Sequence, residues 1–253
     1  MSLAGRHAMI TGGGTGIGAA IAAALARAGA RVTLAGRREG PLKETAEAIG
    51  AAGTVRFDVT DEAAVADGFA RAAERSGPVS ILVNNAGAAE SAPFERTDTS
   101  LLRRMLGVNL EGAVHCIHAV LPGMREAGFG RIVTVASTAG LKGYPYVSAY
   151  CAAKHAAIGL TRALAIETAR SGITVNAVCP GFTDTDLVRG SVARVAAETG
   201  REEADVRASF TRANPQGRLV APEEVADAVS WLVGEAASAV TGQAIAVAGG
   251  ELM

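Results

Sequence analysis

His7-Ala8-Met9-Ile10-Thr11-Gly12-Gly13-Gly14-Thr15-Gly16-Ile17-Gly18, running on into the alanine-rich stretch Ala19 to Ala28, decides the fold. The first five residues read as a short buried strand, the glycines as a tight turn, and the residues after them as a helix with apolar positions at helical spacing. That order aims the free N–H groups and the positive dipole end of a helix at one spot, and glycines let backbone approach it closely, so the spot suits a phosphate. Gly12, Gly16 and Gly18 depart from the strict G-x-G-x-x-G spacing. Glycines alone would equally suit a plain turn, and the strand-to-helix context carries the phosphate reading.

Working outward, the same alternation recurs. Six further strands are expected at Arg31 to Ala35, Thr54 to Phe57, Ile81 to Asn84, Arg131 to Ala136, Thr174 to Val178 and Ala244 to Val247, separated by helical segments. Repeated β-α units predict an α/β fold: a Rossmann-like, doubly wound, seven-stranded parallel sheet with helices on both faces. Residues 184–214 break the pattern with a polar, Arg- and Glu-containing stretch, expected to be a substrate lid inserted after a strand. No repeat, low-complexity tract or Pro/Gly/Ser linker divides the chain, so 1–253 is read as a single dinucleotide-binding and catalytic domain.

Composition agrees and excludes other classes. The 253 residues are 49% hydrophobic and 19% charged, with 24 basic against 25 acidic side chains. Mixed charge of that kind offers no basic face for nucleic acid. Cys116, Cys151 and Cys179 lie far apart in apolar surroundings and are expected to be buried free thiols, with no metal-ligand spacing among them. The N-terminus lacks a signal-peptide core and no segment approaches a membrane span, so a cytoplasmic protein without membrane partners is expected.

The second strand ends Gly36-Arg37-Arg38. An acidic residue there would accept hydrogen bonds from the ribose of NAD; glycine followed by arginine leaves room and charge for a 2′-phosphate, so NADP(H) is favoured, with NAD(H) as the alternative. Arg37 and Arg38 as ordinary surface charges opening a helix is the competing account.

Further motifs follow in order. Thr11 to Gly18 fits T-G-x-x-x-G-x-G, including Thr15 and Ile17; Asp58-Val59 ends the third strand; Asn84-Asn85-Ala86-Gly87 follows the fourth. Asn109 sits in Val-Asn-Leu, Ser137 follows the fifth strand, Tyr150 and Lys154 form Y-x-x-x-K, and Pro180-Gly181 follows the sixth. Singly, each has a bland explanation: a Tyr–Lys pair on an exposed helix, asparagines tying loops, a capping serine, a Pro-Gly turn. Together and in this order they make the whole chain resemble the classical short-chain dehydrogenase/reductase family, closest in look to its 3-oxoacyl-thioester and polyketide ketoreductases.

The resemblance implies hydride transfer between a nicotinamide and a carbonyl or secondary alcohol. Reduction needs a proton delivered to oxygen while hydride reaches carbon. Tyr150 is the expected proton donor; a phenol titrates near ~10 unperturbed, and Lys154, one helical turn on, would supply the charge that eases its ionisation. Ser137 would donate a hydrogen bond to the substrate oxygen. The resemblance adds that Lys154 and Tyr150 meet the nicotinamide ribose, that Asn109 holds a water linking Lys154 to solvent, and that Asp58 and Val59 lie at the adenine. It also implies that Asn85, Ala86 and Gly87 line the cofactor, and that Pro180, Gly181, Thr183 and Thr185 hold the carboxamide. The four histidines are expected to be structural or solvated.

Substrate contacts are expected from Tyr144, Phe182, Leu187 and Val188, which favour an apolar or acyl substrate, with arginines on or beside the lid facing acyl-carrier phosphates or simply solvent. The function expected is a 3-oxoacyl-(CoA or carrier protein) reductase. The alternatives are an NAD-dependent secondary-alcohol dehydrogenase acting on a hydroxyacyl-CoA, steroid or cyclic alcohol, and a catalytically silent NADP(H)-sensing protein, which the presence of Ser137, Tyr150 and Lys154 disfavours. Long small-residue helices at Asn109 to Arg125 and Ala149 to Ala169 suit close subunit packing, and the resemblance implies a homotetramer, or a dimer.

Overall fold

The computed structural model describes residues 2–252. Seven strands form one parallel sheet: β1 His7–Thr11, β2 Arg31–Gly36, β3 Gly53–Arg56, β4 Ile81–Asn84, β5 Gly130–Val135, β6 Ile173–Pro180 and β7 Ala244–Val247. All seven fall where the pattern predicts them, with ends displaced by one or two residues. Strands such as β1, β5 and β6 are buried along their whole length, as expected where helices cover both faces of a parallel sheet.

The helices are α1 Gly16–Arg27, α2 Glu39–Ile49, α3 Glu62–Ser76, α4 Thr99–Leu106, α5 Gly112–Glu126, α6 Ser148–Thr168, α7 Asp186–Thr199, α8 Glu203–Thr211 and α9 Pro222–Val233. Side chains that alternate along a strand separate into two apolar layers. Ala8 and Ile10 of β1 join Ile21 and Leu25 of α1 and Val229 and Leu232 of α9 on one face. Met9 joins Phe69 of α3 and Ile117 and Val120 of α5 on the other. The helix expected to start at Asn109 begins earlier, at Thr99, and passes through a widened π turn, Gly107–Glu111, before continuing as α5. Asn109 sits in that turn, a geometry that recurs at functional positions.

The strand order is β3-β2-β1-β4-β5-β6-β7. The chain winds outward from β1 to β3, then returns to lay β4 on the other side of β1. The crevice beyond the carboxyl ends of β1 and β4 is therefore the switch point where ligands bind in open α/β sheets.

The polar stretch after β6 folds into α7 and α8. Val188, Val192, Ala196, Val206 and Phe210 give it a small apolar cluster of its own. Its base is clasped where Thr183 pairs with Val220 and the Asp184 N–H donates to the Val220 carbonyl at 2.9 Å. The excursion thus leaves and rejoins the body at one point.

Candidate active site

The glycine turn is built for close approach. Gly12 and Gly16 hold φ of 63° and 54°, a region side chains disfavour. A Cβ on Gly18 would stand 2.2 Å from the Gly12 carbonyl oxygen, so only glycine fits there. Thr15 stands at the N-cap of α1 with its hydroxyl unused by the helix. Ile17 packs toward the core beneath. From the neighbouring strand, the Asn85 side-chain Nδ2 donates to the carbonyls of Thr11 and Gly12 at 3.0 and 3.1 Å, while the N–H groups of Asn85 and Ala86 donate to Thr11 Oγ1. The two loops of the switch point are thereby stapled together, leaving the N–H groups at the start of α1 facing outward.

Beside the turn, a cavity of about 60 Å³ is lined by Gly12, Thr15, Gly36, Arg37, Arg38 and Leu42. Arg37 Nη1 lies 3.6 Å from Asp58 Oδ2 and its side chain is well exposed. Burial opposes ionisation of Asp58, but hydrogen bonds from the Thr60 N–H and hydroxyl, and then Arg37, outweigh it and hold the carboxyl below its ordinary range. Val59 packs against Gly112, and its carbonyl contacts His115 Nδ1 at 2.9 Å. An outward helix N-terminus, a backbone cradle that Cβ atoms would fill, and a cation at the end of β2 together fit a nicotinamide dinucleotide.

At the carboxyl ends of β5 and β6 the second group gathers. Ser137 opens a single 3-10 turn, Thr138–Gly140, and its Oγ accepts the Ala139 N–H at 3.1 Å. Tyr150 and Lys154 project from α6. Lys154 is buried, its Nζ donating to the Val135 carbonyl at 2.9 Å and lying 5.6 Å from the Tyr150 ring centroid. Burial dominates both groups: it pushes Tyr150 up to about 12, with the Ser137 hydroxyl pulling the other way, and pulls Lys154 down to about 8. In the protein alone, then, desolvation outweighs any easing of the phenol by Lys154, whose ammonium is engaged by a backbone carbonyl.

Asn109 uses both ends of its amide. Nδ2 donates to the Ala88 and Met105 carbonyls at 2.9 and 3.0 Å, and Oδ1 accepts the Ala88 N–H at 3.3 Å. This braces the loop after Gly87, on which a Cβ would stand 2.9 Å from Asn109 Oδ1. A cavity of about 10 Å³, the size of one water, is lined by Lys154, Asn109, Thr11, Thr134 and Asn84. Both amide atoms of Asn84 are buried there without a partner.

Beyond the sheet, Pro180 ends β6 and Gly181 turns the chain outward. Thr183 Oγ1 donates to the Gly181 carbonyl at 3.0 Å, and the Thr185 hydroxyl donates to the Thr183 carbonyl and accepts the Val188 N–H as the cap of α7. Thr185 also faces Gly16. Phe182 stacks edge-on to Tyr144 and Phe210, with centroids 6.1 and 4.7 Å apart. Leu187 is exposed, whereas Val188 packs into the cluster between α7 and α8. The Tyr144 hydroxyl turns inward to Thr138 and Glu251.

Of the arginines on α7 and α8, Arg189 pairs with Asp184 and Asp186, and Arg207 with Asp184. Arg194 instead reaches across to Ser91 Oγ at 3.4 Å. Sequence reasoning missed Glu251, Phe210 and the Arg194–Ser91 bridge, because each depends on segments far apart in the chain. Of the histidines, buried His7 contacts the Gly77 carbonyl and Thr33, whereas His118 and His155 are exposed. All three cysteines are buried and free, and no helix among the described residues is long and apolar enough to cross a membrane.

Comparison with known proteins matches residues 6–196 to the short chain dehydrogenase model. The chain belongs to the short-chain dehydrogenase family. It is 43% identical to the cis-4-hydroxycyclohexanecarboxylate dehydrogenase of Sinomonas cyclohexanicum, covering 98% of this chain and 97% of that enzyme. It is 39% identical to an acetoacetyl-CoA reductase of Rhizobium meliloti (strain 1021), covering 97% and 98%. Among solved structures it superposes on an actinorhodin polyketide ketoreductase variant with NADPH at a TM-score of 0.93 and 37% identity, over 97% of each chain. Membership makes it a nicotinamide-dependent oxidoreductase working between carbonyls and secondary alcohols.

Proposed function

We propose that this short-chain dehydrogenase reduces the 3-oxo group of an acyl thioester with NADPH. The observation carrying the chemistry is the convergence of Ser137, Tyr150 and Lys154 at the ends of β5 and β6, beside the cradle at the switch point. When bound, the dinucleotide supplies the hydride. Tyr150, held protonated by burial, gives its proton to the carbonyl oxygen while Ser137 donates a hydrogen bond to the same oxygen. Lys154 steadies the phenolate that is left and passes it a replacement proton, drawn in from the side of Asn109 through the water-sized cavity. The thioester reading draws support from the acetoacetyl-CoA reductase relative, and from Arg194, an exposed cation that pairs with no carboxylate among the described residues and reaches Ser91 Oγ, so that it is free to meet an acyl carrier's phosphate. NADPH is supported by Arg37 beside the cavity at the end of β2.

A second reading has its own support. The relative at 43% identity is named for a cyclic hydroxy acid, which favours oxidation of a ring alcohol with NAD. A panel of acetoacetyl-CoA, cyclic ketones and cyclic alcohols, followed by nicotinamide absorbance with both NADPH and NADH, separates the two. Thioester reduction with NADPH is expected; turnover confined to cyclic alcohols with NAD transfers the assignment to the second. The residues 1–253 are taken as one catalytic domain with α7 and α8 as its lid, acting in the cytoplasm as a homotetramer. Exposed Ile166 on α6 and Trp231 on α9 are apolar surfaces that subunit contact would cover.

A further inference from the structure

Behind Ser137 lies a buried carboxylate that the reduction does not use. Glu251, in the chain after β7, has a side chain only 1% exposed, and its Oε1 lies 3.1 Å from Lys142 Nζ. Lys142 also reaches the Glu251 carbonyl at 3.4 Å and rides over the Tyr144 ring, 4.9 Å from its centroid. The Tyr144 hydroxyl bonds to the same Oε1, and its oxygen is 2.7 Å from Thr138 Oγ1. On the far side, a Cβ on Gly181 would stand 2.9 Å from Glu251 Oε2, so the carboxylate fills the face of that glycine.

Proton counting sets the direction of these bonds. An ionised carboxylate only accepts, and a phenol has one proton. The Tyr144 proton therefore goes to Glu251, and the Thr138 hydroxyl must donate to the phenol oxygen. Burial, and after it the hydrogen bond to Glu251, holds the Tyr144 phenol well above its ordinary value, so it remains a donor. Thr138 follows Ser137 directly and opens the turn whose Ala139 N–H binds Ser137 Oγ. One carboxylate thus reaches, through two hydroxyls, the turn that aims Ser137, while its other oxygen abuts the chain leaving β6. A carboxylate out of water costs stability unless it is fully paired, and a glutamine would fill the same volume at lower cost. What the charge adds is a strong, one-way set of hydrogen bonds.

We propose that Glu251 is a positioning residue: through Tyr144 and Thr138 it locks the turn that aims Ser137 at the substrate oxygen, and against Gly181 it sets the opposite wall of the cleft. This rests on the reading of Ser137 as the hydrogen-bond donor to that oxygen.

The test compares full-length wild type with Glu251→Gln, Tyr144→Phe and the double variant. Hydrogen exchange read by mass spectrometry, without substrate, is expected to quicken in residues 137–146 in all three. With the best substrate of the panel above, kcat is expected to fall about tenfold, or ~1.4 kcal/mol, with the KM for the nicotinamide cofactor unchanged. The double variant should be no worse than either single, since both cut one chain of contacts. Unchanged exchange, an unchanged kcat, or additive losses would overturn the proposal. Should Glu251→Gln not fold, Tyr144→Phe, which keeps the ring and leaves the Glu251–Lys142 pair, decides by the same two readouts. If wild type turns over nothing in the panel, the functional reading falls, and the exchange comparison alone still decides whether Glu251 holds the turn.

Discussion

At the scale of single residues, burial governs the proposed site. Tyr150→Phe removes only a hydroxyl, and turnover is expected to fall by about 10²–10⁴-fold, the range for losing a positioned proton donor, with dinucleotide binding followed by fluorescence preserved. Full turnover in that variant would exclude Tyr150 from the chemistry. Lys154 makes a prediction about stability. Burial holds it near 8 in the folded protein against an ordinary 10.5, so between those values the unfolded chain binds more protons than the folded one. This group's contribution to stability therefore rises with pH across that window, and its full cost is present below it. Lys154→Met removes the cost. The variant should be more resistant to urea than wild type at pH 7 and should lose that advantage by pH 10; a difference constant across the range would contradict the buried-ammonium picture. Arg131 is buried; its Nε has no partner, but its Nη1 donates to the Gly130 and Gly172 carbonyls and its guanidinium shares the Phe129 ring with Arg6.

At the scale of elements, the first β-α unit is held by contacts that tolerate no extra atoms. A methyl group on Gly18 would collide with the Gly12 carbonyl and the Asn85 side chain, neither free to retreat, because Asn85 staples the two loops of the switch point. Gly18→Ala should therefore cost about 1–3 kcal/mol in urea denaturation, the range for overpacking, and raise the Kd for the dinucleotide as α1 shifts off its strand. An alanine variant with wild-type stability and affinity would mean that α1 is not held as the structure has it. The elements themselves were largely legible in the chain, because seven apolar runs are too short for helices and are bounded by turn residues, and the intervening segments repeat at helical spacing. The widened turn at Asn109 was not. It answers to where the side chain must reach, two carbonyls and an N–H on separate segments, and no local spacing encodes that.

At the scale of the whole molecule, the order of strands turns a list of motifs into a site. Thr11, Asn85, Ser137 and Thr183 lie far apart in the chain, yet each lies at or just beyond the carboxyl end of a strand, and a parallel sheet brings the carboxyl ends of all its strands to one edge. Assembly belongs to this scale as well. Ile166, 81% exposed on α6, should be covered if the proposed tetramer forms, so Ile166→Arg is expected to reduce the mass seen by light scattering while the far-ultraviolet dichroism stays unchanged. An unaltered mass would place any subunit contact elsewhere. By itself, the sequence determined the strands and helices and the glycine turn, because those depend on residue type at short spacing: glycines where backbone must approach, and apolar runs where strands are covered on both sides; Ser137, Tyr150 and Lys154 stood out only through the ordered motifs around them. Only the tertiary structure decided how burial shifts Tyr150 and Lys154, which arginines of α7 and α8 pair with acids, and that Glu251 reaches Tyr144. Desolvation and long-range pairing depend on what folding packs around a group, and neighbours along the chain carry no record of it.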